Sequence, residues 1–498
     1  MSLKAQVKGS DPEKVVEVDV DKESSLNDKI WFSGLTRTLL TWGVESRGIA
    51  PVPLDERVGH PFSKIFFVWF SMNFNILSFS AGTLGPVVYG LGLRDSCLTI
   101  LFFNLLCCFP PAYIGTWGPK LGMRQMIITR YSFGYYGVIV PCIMNLIGMI
   151  GFSILNCILG GQALASVSSH NLSWTVGIVV IAIISLLVSF CGYTVLNWYE
   201  RVAWIPVLIT YIITMGVGGK HLSNPPPPTP VTASAVLSFA STLAGFAVTY
   251  SSLSSDFTSY FPPKTSTWKL FLSAYLGFLI PIVSIQCLGA AVVSSVSNVP
   301  HWEEGYAGGN VGGLLQAILS PVGNFSKFLT LLLSLSVAAN IAATFYSISI
   351  NIQVFIPALI VVPRYVFSLV ATAIVVPISI VGAHRFYDTL VNFLGLIGYW
   401  ASAYVAILVI EHLFFRKNDP TRYTKEAWNV PSMLPSGIAA ICAGISSFGV
   451  VIPSMHQVWF VGPIAHSTGD IGFEVAFAVT AILYFPFRWL EIRWRGFV

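Results

Sequence analysis

The chain is 498 residues long, 54% hydrophobic and 14% aromatic, with only 10% charged residues and a formal net charge of +5. Soluble domains carry about 25% charged residues, so this composition, with a mean hydropathy of +0.73, excludes a soluble globular protein. It points to an all-helical polytopic membrane protein surrounded by lipid, and no nucleic-acid partner is expected.

A run of roughly 20 apolar residues crosses the hydrocarbon core as a helix. Twelve such runs are predicted, near 62–91, 96–116, 136–165, 173–193, 202–220, 232–254, 268–296, 327–356, 365–383, 389–413, 434–454 and 473–490. The first, third, seventh and eighth exceed one crossing, so tilt or interruption is expected.

Ahead of the first run, residues 1–60 are mixed in charge and lack the apolar core of a signal peptide. They are assigned as a cytoplasmic tail, disordered over residues 1–30. The first run then carries "NILSFSAGTLGPVVYGLG", Asn75 to Gly92, where Ser78, Ser80, Gly82, Thr83, Gly85 and Pro86 crowd an apolar helix. Lipid supplies no hydrogen-bond partners, so a broken helix is tolerated only beside protein or a polar cavity. The stretch is predicted to unwind, with Ser80, Gly82, Gly85 and Pro86 marking the break. The alternative is close helix packing through small residues.

In the third run, Asn145, Gly148, Phe152 and Asn156 recur at helical spacing and share one stripe. Phe152 offers a stacking face beside the Asn156 amide, the pair of features a planar heterocycle needs. Glu200 opens the fifth run beside Arg201, and the stiff segment "NPPPPTP", Asn224 to Pro230, follows it. The sixth run leads into "TYSSLSSDFTSYFPP", Thr249 to Pro263, a second polar departure five spans after the first. Matching interruptions in two halves point to an inverted-repeat transporter with its site near the bilayer midplane. Asp256 lies in this segment. Acids near the membrane usually have a function, so Glu200 and Asp256 are assigned to coupling or gating, against the simpler readings of pairing and helix capping. Glu474, opening the last run, reads as a snorkelling or paired side chain. The eighth run repeats the polar stripe with Asn340, Thr344, Ser347 and Asn351.

With the tail inside, the cytoplasmic connections and their edges hold fourteen Lys and Arg, against four (Arg94, Lys220, Lys327 and Arg385) on the outer side. That asymmetry places both termini in the cytoplasm. The sequons Asn171-Leu172-Ser173 and Asn324-Phe325-Ser326 then face outward as N-glycosylation acceptors. All eight cysteines fall in or beside apolar runs and read as packing residues. No metal-ligand motif, nucleophile set or nucleotide-binding G-x-x-x-x-G-K-[ST] occurs, so neither an enzyme nor a metal site is expected, and an ion gradient is the natural energy source.

Several segments resemble the fungal purine–cytosine permeases of the nucleobase–cation symport family: "GVESRGIAPVPLDER" from Gly43, "GPKLGMRQMIITRYSFGYYG" from Gly118, "NCILGGQAL" from Asn156, "GYWASAYVAILVIEHLFFRK" from Gly398 and "WNVPSMLPSGIAA" from Trp428. The resemblance implies a LeuT-like five-plus-five inverted repeat over 61–222 and 232–413, joined by an outer linker at 223–231. Two extra helices and a short cytoplasmic C-terminus fill 414–498. It further implies proton-coupled import of purines or cytosine across the plasma membrane, with no cofactor beyond the co-transported proton. Carried over by motif, the substrate residues are Ser78, Phe152, Asn156, Tyr250, Asn340 and Thr344, and Glu200 matches an acidic functional position. The family's Asn-Asn-Ile-Pro-Asn run reads Asn340-Ile341-Ala342-Ala343-Thr344 here, and Tyr250 stands where Trp is usual. Sodium-coupled relatives have hydroxyls where this chain has Ala338 and Ala339, which favours protons. Another heterocycle, such as a vitamin or an allantoin-like compound, and a transport-inactive nutrient receptor are the alternatives. The oligomeric state is not legible.

Overall fold

A computed structural model describes residues 49–59, 61–168, 171–190, 202–222, 230–356, 359, 362 and 364–496. Glu200, most of the N-terminal tail and nearly all of the Pro-rich linker lie outside the described residues.

Fifteen helices carry the architecture. They are α1 (Ser63–Asn73), α2 (Ile76–Val87), α3 (Leu93–Cys107), α4 (Gln125–Gly137), α5 (Ile139–Val167), α6 (Trp174–Phe190), α7 (Trp204–Leu222) and α8 (Ala233–Val248), then α9 (Thr267–Ser294), α10 (Val311–Leu319), α11 (Phe325–Phe355), α12 (Arg364–Gly382), α13 (Phe386–Ile410), α14 (Ile438–Ser454) and α15 (Gly472–Arg495). Among the described residues, eight helical stretches are long and apolar enough to cross a bilayer, and the bent pair α1–α2 makes a ninth. The helices α6 and α14 are apolar but only 17 residues each. Tyr365–Phe415 holds two predicted spans, α12 and α13, in one helical stretch of 51 residues. The count is compatible with twelve crossings. A β-hairpin pairs His456–Gln457 with Phe460–Val461 between α14 and α15.

The centre of the bundle is α5 packed along α11, with α2 against α9 beside it. Close approach of α2 to α9 depends on absent side chains. A Cβ on Gly82 would stand 1.9 Å from the Gln286 carbonyl oxygen, and one on Gly289 2.1 Å from that of Phe79. The helices α14 and α15 pack on each other and, through α15, on α13.

The predicted break of the first span is displaced. Ser80, Gly82, Gly85 and Pro86 all lie within the continuous helix α2, and the chain turns by 56° at Phe74–Asn75 instead. Side-chain amides explain the position. Asn75 is extended and its Oδ1 accepts from the Leu77 and Ser78 amides at 2.9 and 3.0 Å, an N-cap inside the membrane. The freed carbonyls are met by Asn73 Nδ2 on Trp69, Asn75 Nδ2 on Met72 and Ser78 Oγ on Asn73. Gly82 and Gly85 serve close packing, since a Cβ on Gly85 would also crowd Ser96 and Phe239.

The second interruption falls where the sequence places it. After Val248 the α-helix gives way to two 3-10 turns, Thr249–Ser252 and Ser254–Phe257. Hydroxyls again supply the missing donors: Ser252 to Thr249 O (2.7 Å), Ser254 to Tyr250 O (2.7 Å), and Thr258 across to Gly115 O (2.7 Å).

The connections gather at two ends. At one, Lys120 donates to Pro263 and Thr265, and Arg130 to Trp428, tying three connections together. At the other, the exposed sequon residue Asn171 lies in the turn between α5 and α6, beside the helical hairpin of Pro300–Tyr306 and α10. Asn324, also exposed, precedes α11 at this end. We call these the basic end and the sequon end. The seven described cysteines are free.

Candidate functional site

Where the two interruptions face α5 and α11, a small cavity remains. It is lined by Asn145, Gly148, Met149 and Phe152 of α5, by Thr249, Tyr250 and Leu253 of the second break, and by Met72 of α1. Asn340, Ala343, Thr344 and Ser347 of α11 and Trp400 of α13 complete it. The volume is about 30 Å³, room for a water or two.

Two faces and one polar edge define its chemistry. The Phe152 and Tyr250 rings lie nearly parallel, 22° apart with centroids 6.3 Å apart. Two aromatic faces that sandwich a flat ring stand about 7 Å apart, twice the carbon–carbon contact distance, close to this centroid spacing. Phe393 and Phe246 brace Phe152 edge-on, and Trp69 and Phe278 brace Tyr250. At the edge, Asn340 Nδ2 donates to the Met72 carbonyl (2.9 Å) and its Oδ1 accepts from Asn156 Nδ2 (3.1 Å). Thr344 Oγ1 donates to the Asn340 carbonyl (2.7 Å), and Asn145 Oδ1 accepts from Ser252 Oγ (2.6 Å).

Of the six residues assigned to substrate, Phe152, Tyr250, Asn340 and Thr344 meet at this cavity. Ser78 and Asn156 do not line it. The Ser78 hydroxyl is spent on the Asn73 carbonyl, inside the repair of the first break. Asn156 is fully buried one turn beyond Phe152, its amide shared between the Phe152 carbonyl and Asn340, and its Oδ1 has no partner. It holds Asn340 in place from behind. Asn351, at the far end of the α11 stripe, turns its amide to the Cys142 carbonyl and also misses the cavity.

Asp256 sits toward the basic end of the second break. Its Oδ1 accepts from the Gln125 backbone N–H (2.7 Å) and its carbonyl from Arg124 Nη1 (2.8 Å), so it caps α4. The Arg124 guanidinium also reaches Tyr260 and Tyr346, and Gln125 reaches Tyr404. Four parts of the bundle are thereby closed together on that side. Toward the sequon end, Tyr387 of α13 hydrogen-bonds Tyr306 of the helical hairpin and Thr83 of α2. The cavity is sealed on both sides.

Sequence reasoning missed Met72, Met149, Thr249, Leu253, Ala343 and Trp400. Thr249 and Leu253 flank Tyr250, and Met149 and Ala343 flank predicted residues. Met72 and Trp400 reach the cavity only through the bend and the packing of α13.

The matching family model, described as permease for cytosine/purines, uracil, thiamine, allantoin, covers residues 51–475. The chain belongs to this permease family. A purine-cytosine permease of Emericella nidulans is 36% identical over 473 residues, covering 93% of this chain and 92% of the relative. A vitamin B6 transporter of Saccharomyces cerevisiae is 28% identical over 529 residues, covering 95% and 91%. Among solved structures, Mhp1, a nucleobase-cation-symport-1 family transporter in a closed conformation with bromovinylhydantoin bound, aligns with a TM-score of 0.69. It is 16% identical over 90% of this chain and 95% of that one. This permease is thus a polytopic membrane transporter of the Mhp1 fold, and not an enzyme.

Proposed function

We propose that this permease imports purine bases or cytosine across the plasma membrane together with a proton, both termini facing the cytoplasm. The observation that carries the reading is the cavity at the two helix breaks, where parallel Phe152 and Tyr250 faces stand beside the Asn340 amide. Stacking holds any flat base, while the amide, offering both donor and acceptor, reads its edge. The similarity to a purine-cytosine permease supports the substrate class. Alternating access follows from the two seals, one at Tyr306–Tyr387–Thr83 and one at Arg124–Asp256, opening in turn around a fixed site. Asp256 is assigned to the gate at the basic end, and Glu200, outside the described residues, to coupling.

The test is uptake of radiolabelled cytosine, adenine and hypoxanthine in yeast lacking its own nucleobase permeases, at pH 5 and pH 7.5, with and without a protonophore. Saturable, protonophore-sensitive accumulation favoured at pH 5 is expected. Absence of accumulation at normal surface expression overturns the reading. A second reading, a pyridoxine-like heterocycle, rests on Thr344, whose short hydroxyl already donates to Asn340 and leaves the α11 face with one amide. The similarity to a vitamin B6 transporter favours the same alternative.

A further inference from the structure

Behind Trp400 lies a second cavity of about 210 Å³. Its lining is apolar, with Phe133, Met144, Ile407, Ile441, Gly444 and Phe448 among the contributors from α4, α5, α13 and α14. Trp400 is the one described residue that lines both this void and the site cavity.

The site cavity holds a water or two, so a base enters only if a wall yields. Most of the walls cannot yield cheaply. Phe152 is backed by Phe393 and Phe246, and Tyr250 by Trp69 and Phe278. Displacing either ring would push other rings in a close-packed interior. Trp400 is instead backed by an apolar recess that opens toward the lipid-facing side, where Ile445 and Val140 of its lining are exposed. Its indole Nε1 is buried with no hydrogen-bond partner, and its ring contact is a tilted one with Tyr404, centroids 5.6 Å apart. No packed ring fills that recess, so an indole moving into it makes new apolar contacts there as it gives up others.

We infer that Trp400 is the movable wall of the substrate site: it swings between side-chain rotamers into the apolar cavity, and the space it vacates sets the largest ring system the permease accepts. The inference rests on the proposed nucleobase function and deepens it. A one-ring pyrimidine needs a small part of the movement. A two-ring purine needs all of it.

Blocking the receiving space tests this without touching the site. A Cβ on Gly444 would meet nothing within 4 Å, so Gly444→Leu fills the void without a clash at the backbone. Adenine and cytosine uptake are measured for the wild type, Gly444→Leu, and Gly444→Leu combined with Trp400→Phe, each normalised to surface expression. Gly444→Ala and Gly444→Val provide a graded series should Leu impair expression. In Gly444→Leu the adenine KM rises about tenfold or more while the cytosine KM changes less than about twofold, the scale of overpacking at a tight site. The smaller Phe at 400 restores adenine. An unchanged adenine-to-cytosine ratio across the series, or equal loss of both bases that Trp400→Phe does not relieve, overturns the inference and leaves the proposed function standing. A wild type that takes up neither base overturns the proposed function, and this inference with it.

Discussion

Asn340 and Met72, 268 positions apart in the sequence, are joined by one hydrogen bond of 2.9 Å from the Asn340 amide to the Met72 carbonyl. The carbonyl belongs to the last turn of α1, where the helix has lost its own donors, so the residue that edges the cavity also closes the first break. The cavity edge and the backbone repair share a side chain.

Asn340→Ala should therefore cost transport more than expression. The Met72 carbonyl keeps its second donor, Asn75 Nδ2, so the loss is one net hydrogen bond, about 0.5–1.5 kcal/mol, or roughly 2- to 12-fold if it falls on binding. Uptake at matched surface expression checks this. Asn340→Asp, which keeps the acceptor for Asn156 but loses the donor to Met72, should be nearly as impaired. Retention of wild-type uptake in the Asp variant would show that the donor is dispensable.

Asn75 carries the break itself. Asn75→Ala removes the cap on the Leu77 and Ser78 amides and should lower stability by about 0.5–2 kcal/mol. Thermal unfolding of the detergent-purified protein, compared with Ser80→Ala inside α2, measures the difference. An equal effect of the two would return the break to the Ser80–Pro86 region.

Two glycines on paired faces should behave in opposite ways. Gly82→Ala drives a methyl into the Gln286 carbonyl and should abolish surface expression or leave an inactive protein. Gly148 lines the cavity, and a Cβ there meets nothing within 4 Å. Gly148→Ala should fold normally and shift the ranking of competing bases in an inhibition assay.

At the basic end, Arg488 Nε meets Glu411 Oε2 at 2.9 Å and Arg416 Nε meets Glu411 Oε1 at 3.1 Å, with Glu491 beside Arg488, all nearly inaccessible to solvent. Arg488→Met strands an acid and should cost about 3–5 kcal/mol. Adding Glu491→Gln removes the acid left without its arginine, while Glu411 keeps Arg416, and should recover part of that loss in the same unfolding assay. A double variant no better than Arg488→Met alone would mean that hydrogen bonding, not charge, dominates.

Asp470 gives a pH dependence. Burial raises its carboxyl above the ordinary range, opposed by hydrogen bonds from Tyr399, the His456 and Gly472 amides and Ser241. A raised acid binds its proton more tightly when folded. Its contribution to stability is complete below the unfolded carboxylate pKa and is lost as pH rises through the folded value. The melting temperature of the wild type relative to Asp470→Asn should accordingly improve as pH falls from neutral. A constant difference would contradict this.

What the sequence discloses is helix-face chemistry. Asn145, Gly148 and Phe152 line the cavity because helical spacing alone puts them on one stripe, and Asn340, Thr344 and Ser347 do so for the same reason. Resemblance added Tyr250. Serine, glycine and proline do not break the first span, because in lipid the backbone stays helical until side chains replace its hydrogen bonds. Asn73 and Asn75 were the signal, two amides bracketing Phe74. Asn156 shares α5 with the site and Ser78 follows the first break, but both are consumed by partners that sequence spacing cannot reveal. Trp400 and the void behind it come from the meeting of α13 with α14, which has no local signature.

Tyr399 is bound to Asp470, Ser402 to the Phe473 carbonyl, Asn392 to the Val458 amide, and Glu411 to both Tyr484 and Arg488. The helix α13 is thus laced along its length to the hairpin and to α15. The far side of that assembly is greasy and open, with Ile445 67%, Ile482 70% and Trp494 77% exposed. A tilt of α13 in the proposed alternating access would carry this lipid-facing surface sideways through the acyl chains. The turnover of such a machine should be damped by the viscosity of its bilayer, so that stiffening the membrane slows it even when substrate and driving gradient are unchanged.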